Sequence, residues 1–328
     1  MKAIVARAFG APEDLRVEEI EAPAVGPGQV RVRVSAAAAN YVDALIVAGK
    51  YQVKPALPFI PGAEFSGVVE AVGEGVDQLT IGDRVCGSQV GGAFGELVVA
   101  SATMVFRIPP SMSFLEAAIL RASNGTAFHA LVQRAALQVG ETVLVLGAGG
   151  AVGFSAIQIA KALGARVIGS ASSPAKRDLA VQAGADLALD SAAPDWSEQI
   201  KSATGGRGVD VVVDPVGGDL TEAAFRRLSW RGRLLVIGFA AGGIPAIKTN
   251  LALLKGGALV GVDFRQFNLF EPETASDNMR RLLALHEAGK LPVPPLKIYA
   301  PDQAGQALAD AASGVVLGRR VVDFSGWS

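Results

Sequence analysis

The first part of the chain has the periodicity of β-strands. Residues 29–34 alternate polar and apolar side chains, which is the period of a half-buried strand, and residues 67–72 form a short, mostly apolar run. Turn-forming pairs such as Pro27-Gly28 and Pro61-Gly62 separate these segments. Roughly the first 110 residues are therefore predicted to be rich in β-structure.

A different pattern begins near Ser113. Ser113 and Glu116 have the spacing of a helix capping box, and residues 113–131 are predicted to be helical. From Glu141 onward, short apolar strands alternate with helices that end at a glycine. The predicted strands are 142–146, 166–169, 209–213 and 234–237, and the predicted helices are 154–163 and 175–183. Strands that are apolar on both faces and separated by helices indicate a parallel sheet covered on both sides.

The pattern becomes irregular again after about residue 261. Helices are predicted over 278–288 and 302–312, followed by a last strand over 320–322. We therefore predict an α/β protein in which a doubly wound parallel sheet is inserted in a β-rich domain made of both chain ends. The predicted boundaries are 1–118 with 264–328 for the β-rich domain and 119–263 for the inserted domain.

A glycine-rich turn follows the first strand of the inserted domain. Ala148, Gly150 and Gly153 fit A-x-G-x-x-G, a variant of the dinucleotide-binding fingerprint, between a strand and a helix. Small residues let the backbone approach a pyrophosphate, and the helix N-terminus offers N–H groups to it. The candidate pyrophosphate contacts are Gly147, Gly150, Ala151, Val152 and Gly153.

The residues after the second strand of this domain indicate which dinucleotide binds. An NAD site usually carries an acid about 20 residues after the glycines, and the stretch 169–177 contains none. It offers hydroxyls at Ser172 and Ser173, followed by the cations Lys176 and Arg177, which suits a 2′-phosphate. This favours NADPH; the alternative is that both cations form an ordinary solvated helix face.

Composition narrows the class of protein. A chain of 328 residues is long enough for two domains, and a formal net charge of −1 gives no reason to expect nucleic acid or an anionic membrane as partner. The apolar stretches are too short to span a membrane, and the start lacks the pattern of a signal peptide. The single cysteine, Cys86, permits no internal disulfide. We expect a cytoplasmic protein.

The supply of metal-binding side chains is small. A zinc site needs about three nitrogen, sulfur or oxygen ligands from the protein. Only His129, His286 and Cys86 are soft or borderline donors, and no two of them form a spaced pair. We therefore expect no catalytic zinc, and we interpret Cys86 as a buried strand residue rather than as an activated thiol.

Several longer stretches resemble a known family. They are 39–43 with 49–51, 61–69, 82–85, 125–131, the glycine turn, and 214–218. Over essentially its whole length the chain resembles the quinone oxidoreductases (zeta-crystallin-like) of the medium-chain dehydrogenase/reductases. Zinc-dependent relatives carry Cys near the position of Asn40 and Gly-His-Glu where this chain has Gly62-Ala63-Glu64. The resemblance implies a zinc-independent protein with a GroES-like catalytic domain and a Rossmann domain that binds NADPH.

The resemblance also implies roles for individual residues. Asn40, Asp43 and Tyr51 match residues of the substrate cleft and are the candidate catalytic residues; their structural alternatives are turn capping, helix capping and a wall position. Ser173 and Lys176 match contacts to the adenosine phosphate. The other implied cofactor contacts are Thr126, Val216, Ile237, Gly238, Phe239, Phe264 and Arg319. Many relatives carry Tyr where this chain has Leu189-Asp190, and an acid near a 2′-phosphate would repel it unless turned away.

We therefore predict an NADPH-dependent oxidoreductase that transfers a hydride to a quinone or conjugated enone between its domains. Tyr51 and Asn40 are the candidate hydrogen-bond donors to the developing oxyanion. The alternatives are an enoyl-thioester or alkenal reductase, a nucleotide-binding sensor or structural protein without turnover, and, disfavoured by its ligand count, a zinc alcohol dehydrogenase. The relatives imply a homodimer, for which residues 257–262 would supply an apolar edge strand.

Overall fold

The computed structural model describes residues 1–327 of the chain. Its strands, in chain order, are β1 (Lys2–Val5), β2 (Arg16–Glu19), β3 (Gln29–Ala39), β4 (Glu64–Val72), β5 (Arg84–Ser88), β6 (Leu97–Ser101), β7 (Val105–Arg107), β8 (Thr142–Leu146), β9 (Arg166–Ala171), β10 (Leu187–Asp190), β11 (Val209–Asp214), β12 (Leu228–Val236), β13 (Ala258–Gly261), β14 (Leu296–Tyr299) and β15 (Arg319–Asp323).

The α-helices lie between these strands. They are α1 (Tyr41–Val47), α2 (Phe114–Ala117), α3 (Arg121–His129), α4 (Ala151–Ala162), α5 (Pro174–Gln182), α6 (Trp196–Ala203), α7 (Asp219–Arg226), α8 (Thr249–Lys255), α9 (Phe264–Phe270), α10 (Pro272–Glu287) and α11 (Ala304–Ser313). A π-helical segment, Ala130–Arg134, continues α3. Across residues 1–327, none of the helices combines the length and the apolar character that crossing a membrane requires.

The first unit of the structure contains Met1–Ala122 and the chain from Pro295 onward. Its main sheet has the strand order β14-β15-β3-β4-β5-β7, and β6 pairs with β3. Along β3, buried valines such as Val32 alternate with more exposed arginines such as Arg33, which is the period of a strand with one packed face. The predicted β-rich domain built from both chain ends is present.

The second unit, Ser123–Pro294, contains a six-stranded sheet in the order β10-β9-β8-β11-β12-β13. All neighbouring strands are parallel. Every residue of β8 is buried, as expected for a strand covered by helices on both faces. Counted from β8, the order is 3-2-1-4-5-6. In this doubly wound order the ligand binds at the carboxyl ends of β8 and β11, where the strand order reverses. This confirms the predicted fold class.

The second domain boundary lies later in the chain than the sequence pattern predicts. Residues 264–294 belong to the second unit, whereas the sequence analysis assigns them to the β-rich domain. The contacts that hold them are specific: the His129 ring stacks on Phe267 at 3.8 Å, and the side chains of Gln133 and Asn278 form two hydrogen bonds. The spacing of hydrophobic residues does not predict such contacts, because polar and aromatic side chains make them.

Candidate functional site

The glycine turn after β8 leaves no room for side chains. Gly147 has φ +61°, a left-handed conformation that favours glycine, and a Cβ there would lie 2.7 Å from Val216 Cγ2. A Cβ on Gly153 would lie 2.2 Å from the Gly147 carbonyl oxygen. Gly150 is the N-cap of α4 and has no side chain to cap the N–H groups of the first helical turn, which Ala151, Val152 and Gly153 supply. The turn therefore fits a dinucleotide pyrophosphate.

The loop after β11 lies against the same turn. The Asp214 carboxylate is buried and accepts hydrogen bonds from the backbone N–H of Val216 (2.9 Å) and Gly217 (2.8 Å) and from the Thr221 hydroxyl (2.6 Å). These bonds fix the loop so that Val216 contacts Gly147. The glycine turn and Val216, both predicted cofactor contacts, therefore meet at the point where the strand order reverses.

The segment after β12 joins this group. The backbone N–H of Ile237 donates to the Asp214 carbonyl oxygen at 3.0 Å, and that of Gly238 donates to the same atom at 3.4 Å. A Cβ on Gly217 would lie 2.9 Å from the Phe239 ring. The predicted contacts Ile237, Gly238 and Phe239 are therefore brought beside the β11 loop.

The two serines and the lysine predicted to meet an adenosine phosphate lie at the start of α5. Ser173 is the N-cap, and its hydroxyl accepts a hydrogen bond from the Lys176 N–H at 3.4 Å. A Cβ on Gly149 would lie 2.6 Å from Lys176 Cβ, so the base of the lysine side chain packs directly on the glycine turn. Ser172 is exposed beside it. The start of α5, which carries these three residues, therefore packs against the glycine turn through Lys176.

In the second unit, the Phe264 ring packs on Gly125, which directly precedes Thr126. A Cβ on Gly125, the residue before Thr126 in α3, would lie 2.4 Å from the Phe264 ring. Phe264 begins α9, whose N-cap Asp263 accepts a hydrogen bond from the Gln266 N–H at 2.9 Å. Only glycine permits this approach of an aromatic ring to α3, which explains the glycine in the Gly125-Thr126 pair.

A buried polar network surrounds Asn40 in the first unit. The Asn40 amide donates from Nδ2 to Glu64 Oε2 at 2.9 Å, and its Oδ1 accepts from the Arg319 guanidinium at 3.0 Å. Glu64 and Arg319 also form an ion pair at 3.5 Å, with side chains only 1% and 4% exposed. The structure therefore places Arg319, predicted as a cofactor contact, as a partner of Asn40. Its role toward the cofactor stays a prediction.

The Asp43 side chain caps the start of α1. The Asn40 N–H donates to Asp43 Oδ2 at 3.0 Å, whereas the Asn40 side chain makes no capping hydrogen bond and instead bonds to Glu64 and Arg319. Helix capping is the structural role that the sequence analysis gave as the alternative for Asp43. The amide of Asn40 keeps a second N–H, since an amide has two and one donates to Glu64. Asn40 is therefore still able to donate to a ligand.

Asp43 is a fully buried acid beside a small recess. Burial, together with the charge of Glu64, raises the pKa of Asp43 to about 7, although the N–H of Asn40 opposes the shift. The recess holds about 210 Å³, including the solvent at its mouth, and its walls are mainly apolar, with Asp43, Phe59, Pro61 and Gly62 among them. Of the three predicted catalytic residues, Asp43 lines this recess, while Asn40 and the half-buried Tyr51 lie outside its lining.

The raised pKa of Asp43 makes stability depend on pH. The pKa of an aspartate in the unfolded chain is about 3.9. Between pH 4 and 7 the folded chain therefore holds a proton that the unfolded chain has lost. This group therefore lowers the free energy of unfolding as pH rises, by up to about 1.4 kcal/mol per pH unit. We expect Asp43→Asn to remove this slope and to stabilise the chain at pH 8. Denaturant unfolding at several pH values measures it.

The exposed Asp77 provides the matched control for that measurement. Asp77→Asn makes the same chemical change without burial, and we expect it to leave the pH profile of stability unchanged. Wild type and Asp43→Asn profiles that run parallel from pH 4 to 7 would show that Asp43 is not protonated in the folded state.

Sequence reasoning assigned no role to Glu64. Glu64 was named only within motifs shared with the family, yet the structure shows its carboxylate accepting from both Asn40 and the Ala122 N–H (2.6 Å). The sequence did contain a signal for this role, because Glu64 is an ionisable residue directly before Phe65 in an apolar strand. A buried charge requires partners, so such a residue indicates a polar network. Glu64 therefore belongs to the candidate site as the group that orients Asn40.

Cys86 is a buried residue of β5, as predicted. Burial raises the pKa of its thiol to about 12, so the thiol stays protonated at neutral pH. A protonated thiol is a poor nucleophile and a poor metal ligand. The activated-thiol interpretation therefore has no support.

Comparison with known proteins identifies the family. The model of the alcohol dehydrogenase GroES-like domain matches residues 26–110, and that of the zinc-binding dehydrogenase matches residues 151–283. The quinone oxidoreductase-like protein 2 homolog of Nematostella vectensis is 37% identical over 89% of this chain and 80% of its own length. The chain is therefore an oxidoreductase of the medium-chain dehydrogenase/reductase class. Within that class it belongs to the quinone oxidoreductase family.

Solved structures agree over nearly the whole chain. A mycobacterial protein complexed with NADPH has a TM-score of 0.91 at 30% identity, covering 98% of this chain and 100% of its own. The Escherichia coli quinone oxidoreductase complexed with NADPH has a TM-score of 0.89 at 27% identity, covering 98% and 100%. The enoyl reductase CurK has a TM-score of 0.89 at 26% identity, covering 98% of each chain.

The side chains of this protein do not fit the zinc named in the matched dehydrogenase model. Among residues 1–327, no group of three or more His, Cys, Asp or Glu side chains is arranged to hold a metal ion. Asn40, near whose position the resemblance implies a cysteine in zinc-dependent relatives, is an amide that Glu64 and Arg319 engage. The described residues therefore do not supply the roughly three ligands that a catalytic zinc needs.

Proposed function

We propose that this protein is an NADPH-dependent oxidoreductase that reduces a quinone or a conjugated enone without zinc. The observation that carries the proposal is the packing of the base of the Lys176 side chain on Gly149, at the start of the helix that Ser173 caps. A 2′-phosphate needs such donors. The family membership and the two NADPH complexes among the similar structures support the same reading.

The chain's own residues would bind and orient both reactants. NADPH, when bound, supplies the hydride. Val216, next to the glycine turn, and residues 237–239, beside the β11 loop, are the proposed contacts toward the nicotinamide end, with Thr126 and Phe264. The second N–H of Asn40 and the Tyr51 hydroxyl are the proposed donors to the substrate oxygen as it gains negative charge.

Reduction of an enoyl thioester is the second candidate. The observation that favours it is the similarity to the enoyl reductase CurK over 98% of this chain. Both substrate types accept a hydride at a carbon conjugated to a carbonyl group, so the same oxyanion donors serve both. The two candidates therefore differ in the substrate that must fit rather than in the chemistry.

Cofactor titration followed by a substrate panel tests the proposal. We expect tighter binding of NADPH than of NADH, and NADPH oxidation with a naphthoquinone or a short enone. Faster turnover of crotonyl-CoA would favour the enoyl-thioester candidate. Binding of NADPH with no oxidation across the panel would contradict an enzymatic role, and metal analysis that finds stoichiometric zinc would contradict zinc independence.

The two proposed oxyanion donors can be tested directly. We expect Tyr51→Phe and Asn40→Ala to lower kcat/KM, by about a hundredfold to a thousandfold for whichever residue donates, because removing one oxyanion donor weakens transition-state binding. Tyr41→Phe is the matched control, since Tyr41 is an exposed tyrosine in the same unit. If both variants keep the wild-type kcat/KM, neither side chain is the donor.

A homodimer formed through β13 is proposed as the assembly. β13 is one of the two edge strands of the parallel sheet, and its Leu259 is 48% exposed. Leu253 and Leu254 of α8 are 80% and 72% exposed. An apolar edge strand invites pairing with a second copy. Light scattering after size-exclusion chromatography should give twice the chain mass, and Leu259→Lys should give monomers. A monomeric wild type would contradict this assembly.

A further inference from the structure

The acid at the end of β10 lies next to the predicted phosphate contacts. Asp190 pairs in register with Ala171, the last residue of β9, and Ser172 and Ser173 follow directly. β9 and β10 are parallel neighbours, so their carboxyl ends share one edge of the sheet. A free carboxylate there would accept hydrogen bonds from a ribose diol and repel a 2′-phosphate. The sequence alone therefore leaves a conflict with NADPH binding.

Arg177 resolves this conflict. Its guanidinium forms an ion pair with Asp190 Oδ2 at 3.0 Å and donates to the Ala171 carbonyl oxygen at 3.2 Å. The other carboxylate oxygen, Oδ1, accepts from the Ala192 N–H at 2.9 Å. Both oxygens of Asp190 are thus engaged within the protein, and its charge is neutralised by a cation anchored at two points.

The neighbouring lysine is differently placed. Within residues 1–327 the Lys176 ammonium forms no ion pair, and the base of its side chain rests on the glycine turn. The two adjacent cations of α5 therefore have different environments. Because the Asp190 side chain is 40% exposed, its pair with Arg177 contributes little to stability. The larger effect of this ion pair is on the local charge that an anionic ligand meets at the carboxyl ends of β9 and β10.

We propose that the Arg177–Asp190 ion pair is a specificity determinant for the 2′-phosphate. Arg177 masks the acid at the end of β10, so that Lys176 and Ser173 meet the phosphate without repulsion from Asp190. The inference rests on the proposed NADPH function and deepens it. It assigns Arg177 a positioning role toward Asp190 rather than a contact with the phosphate itself.

Calorimetric titration of the full chain tests this proposal. The probes are 2′,5′-ADP and 5′-AMP, which differ only in the 2′-phosphate, and the readout is the ratio of their dissociation constants. We expect Arg177→Met to reduce the preference for 2′,5′-ADP about tenfold, because an unpaired carboxylate then faces the phosphate. We expect Asp190→Asn to keep or increase the preference.

The double variant separates masking from direct contact. If Arg177 acts through Asp190, Arg177→Met combined with Asp190→Asn restores the preference to within about twofold of the Asp190→Asn value, since no acid remains to be masked. A double variant as impaired as Arg177→Met alone would mean that Arg177 binds the phosphate, and an unchanged preference in Arg177→Met would mean that the pair has no role. Either result overturns the proposal.

Two controls complete the experiment. Arg226→Met breaks the exposed ion pair with Glu222 in the same unit and should leave the preference unchanged. Thermal unfolding of each variant confirms that it is folded, and the double variant still decides the question if Arg177→Met alone is unstable. A wild type without preference for 2′,5′-ADP would contradict the NADPH proposal itself, whereas a preference insensitive to Arg177→Met contradicts only the masking role.

Discussion

Replacing Gly153 by valine is expected to reduce NADPH affinity by at least about a hundredfold. Even one added Cβ would lie 2.2 Å from the Gly147 carbonyl oxygen and 3.0 Å from Ala148 Cα, which are backbone atoms of the turn itself. The turn cannot relax by rotating a side chain, so its backbone must move away from the position that presents N–H groups to a pyrophosphate. Fluorescence titration with NADPH measures the loss.

The same change is expected to lower the free energy of unfolding by about 1–3 kcal/mol, the usual effect of overpacking. Gly326→Val is the control, because nothing lies within 4 Å of a Cβ at Gly326. It should bind NADPH as the wild type does. If Gly153→Val stays folded and binds NADPH normally, the turn after β8 is not the pyrophosphate site.

The parallel sheet was predictable because its strands are buried on both faces. An apolar run such as β8 is the direct consequence of that burial, and the glycine turn follows it in the sequence. The start of α4 was harder to predict. The hydrophobic pattern predicts that the helix begins at residue 154, whereas it begins at Ala151. Small residues at the start of α4 carry no hydrophobic periodicity, so only the turn geometry reveals the earlier start.

The polar network of the first unit was only partly predictable. Asn40 and Arg319 were both named as candidate site residues, but their mutual hydrogen bond joins positions that are 279 residues apart in the chain. Such a pairing depends on β15 lying next to β3 in the sheet, and no local pattern encodes this. The partner of Asp190 was hidden for the same reason, since it depends on the register of β10 beside β9.

Lys176→Met is expected to weaken NADPH binding by about tenfold to a hundredfold while leaving NADH binding nearly unchanged. A hydrogen bond to a charged group contributes about 1.5–3 kcal/mol, and about 1.4 kcal/mol corresponds to tenfold in affinity. Methionine keeps most of the aliphatic stem that packs on Gly149, so the change removes the ammonium group and little else. Parallel titrations with NADPH and NADH separate a charge effect from a general loss of binding.

Lys201→Met serves as the control for that experiment. Lys201 lies on α6 of the same unit with a side chain 56% exposed, so its replacement makes the same change in net charge at a distant surface position. If Lys201→Met weakened NADPH binding as much as Lys176→Met, the effect would reflect overall charge rather than a phosphate contact. Equal weakening of NADPH and NADH by Lys176→Met would instead show that the lysine supports the glycine turn. Selective loss of NADPH is the result that makes Lys176 a contact for the 2′-phosphate.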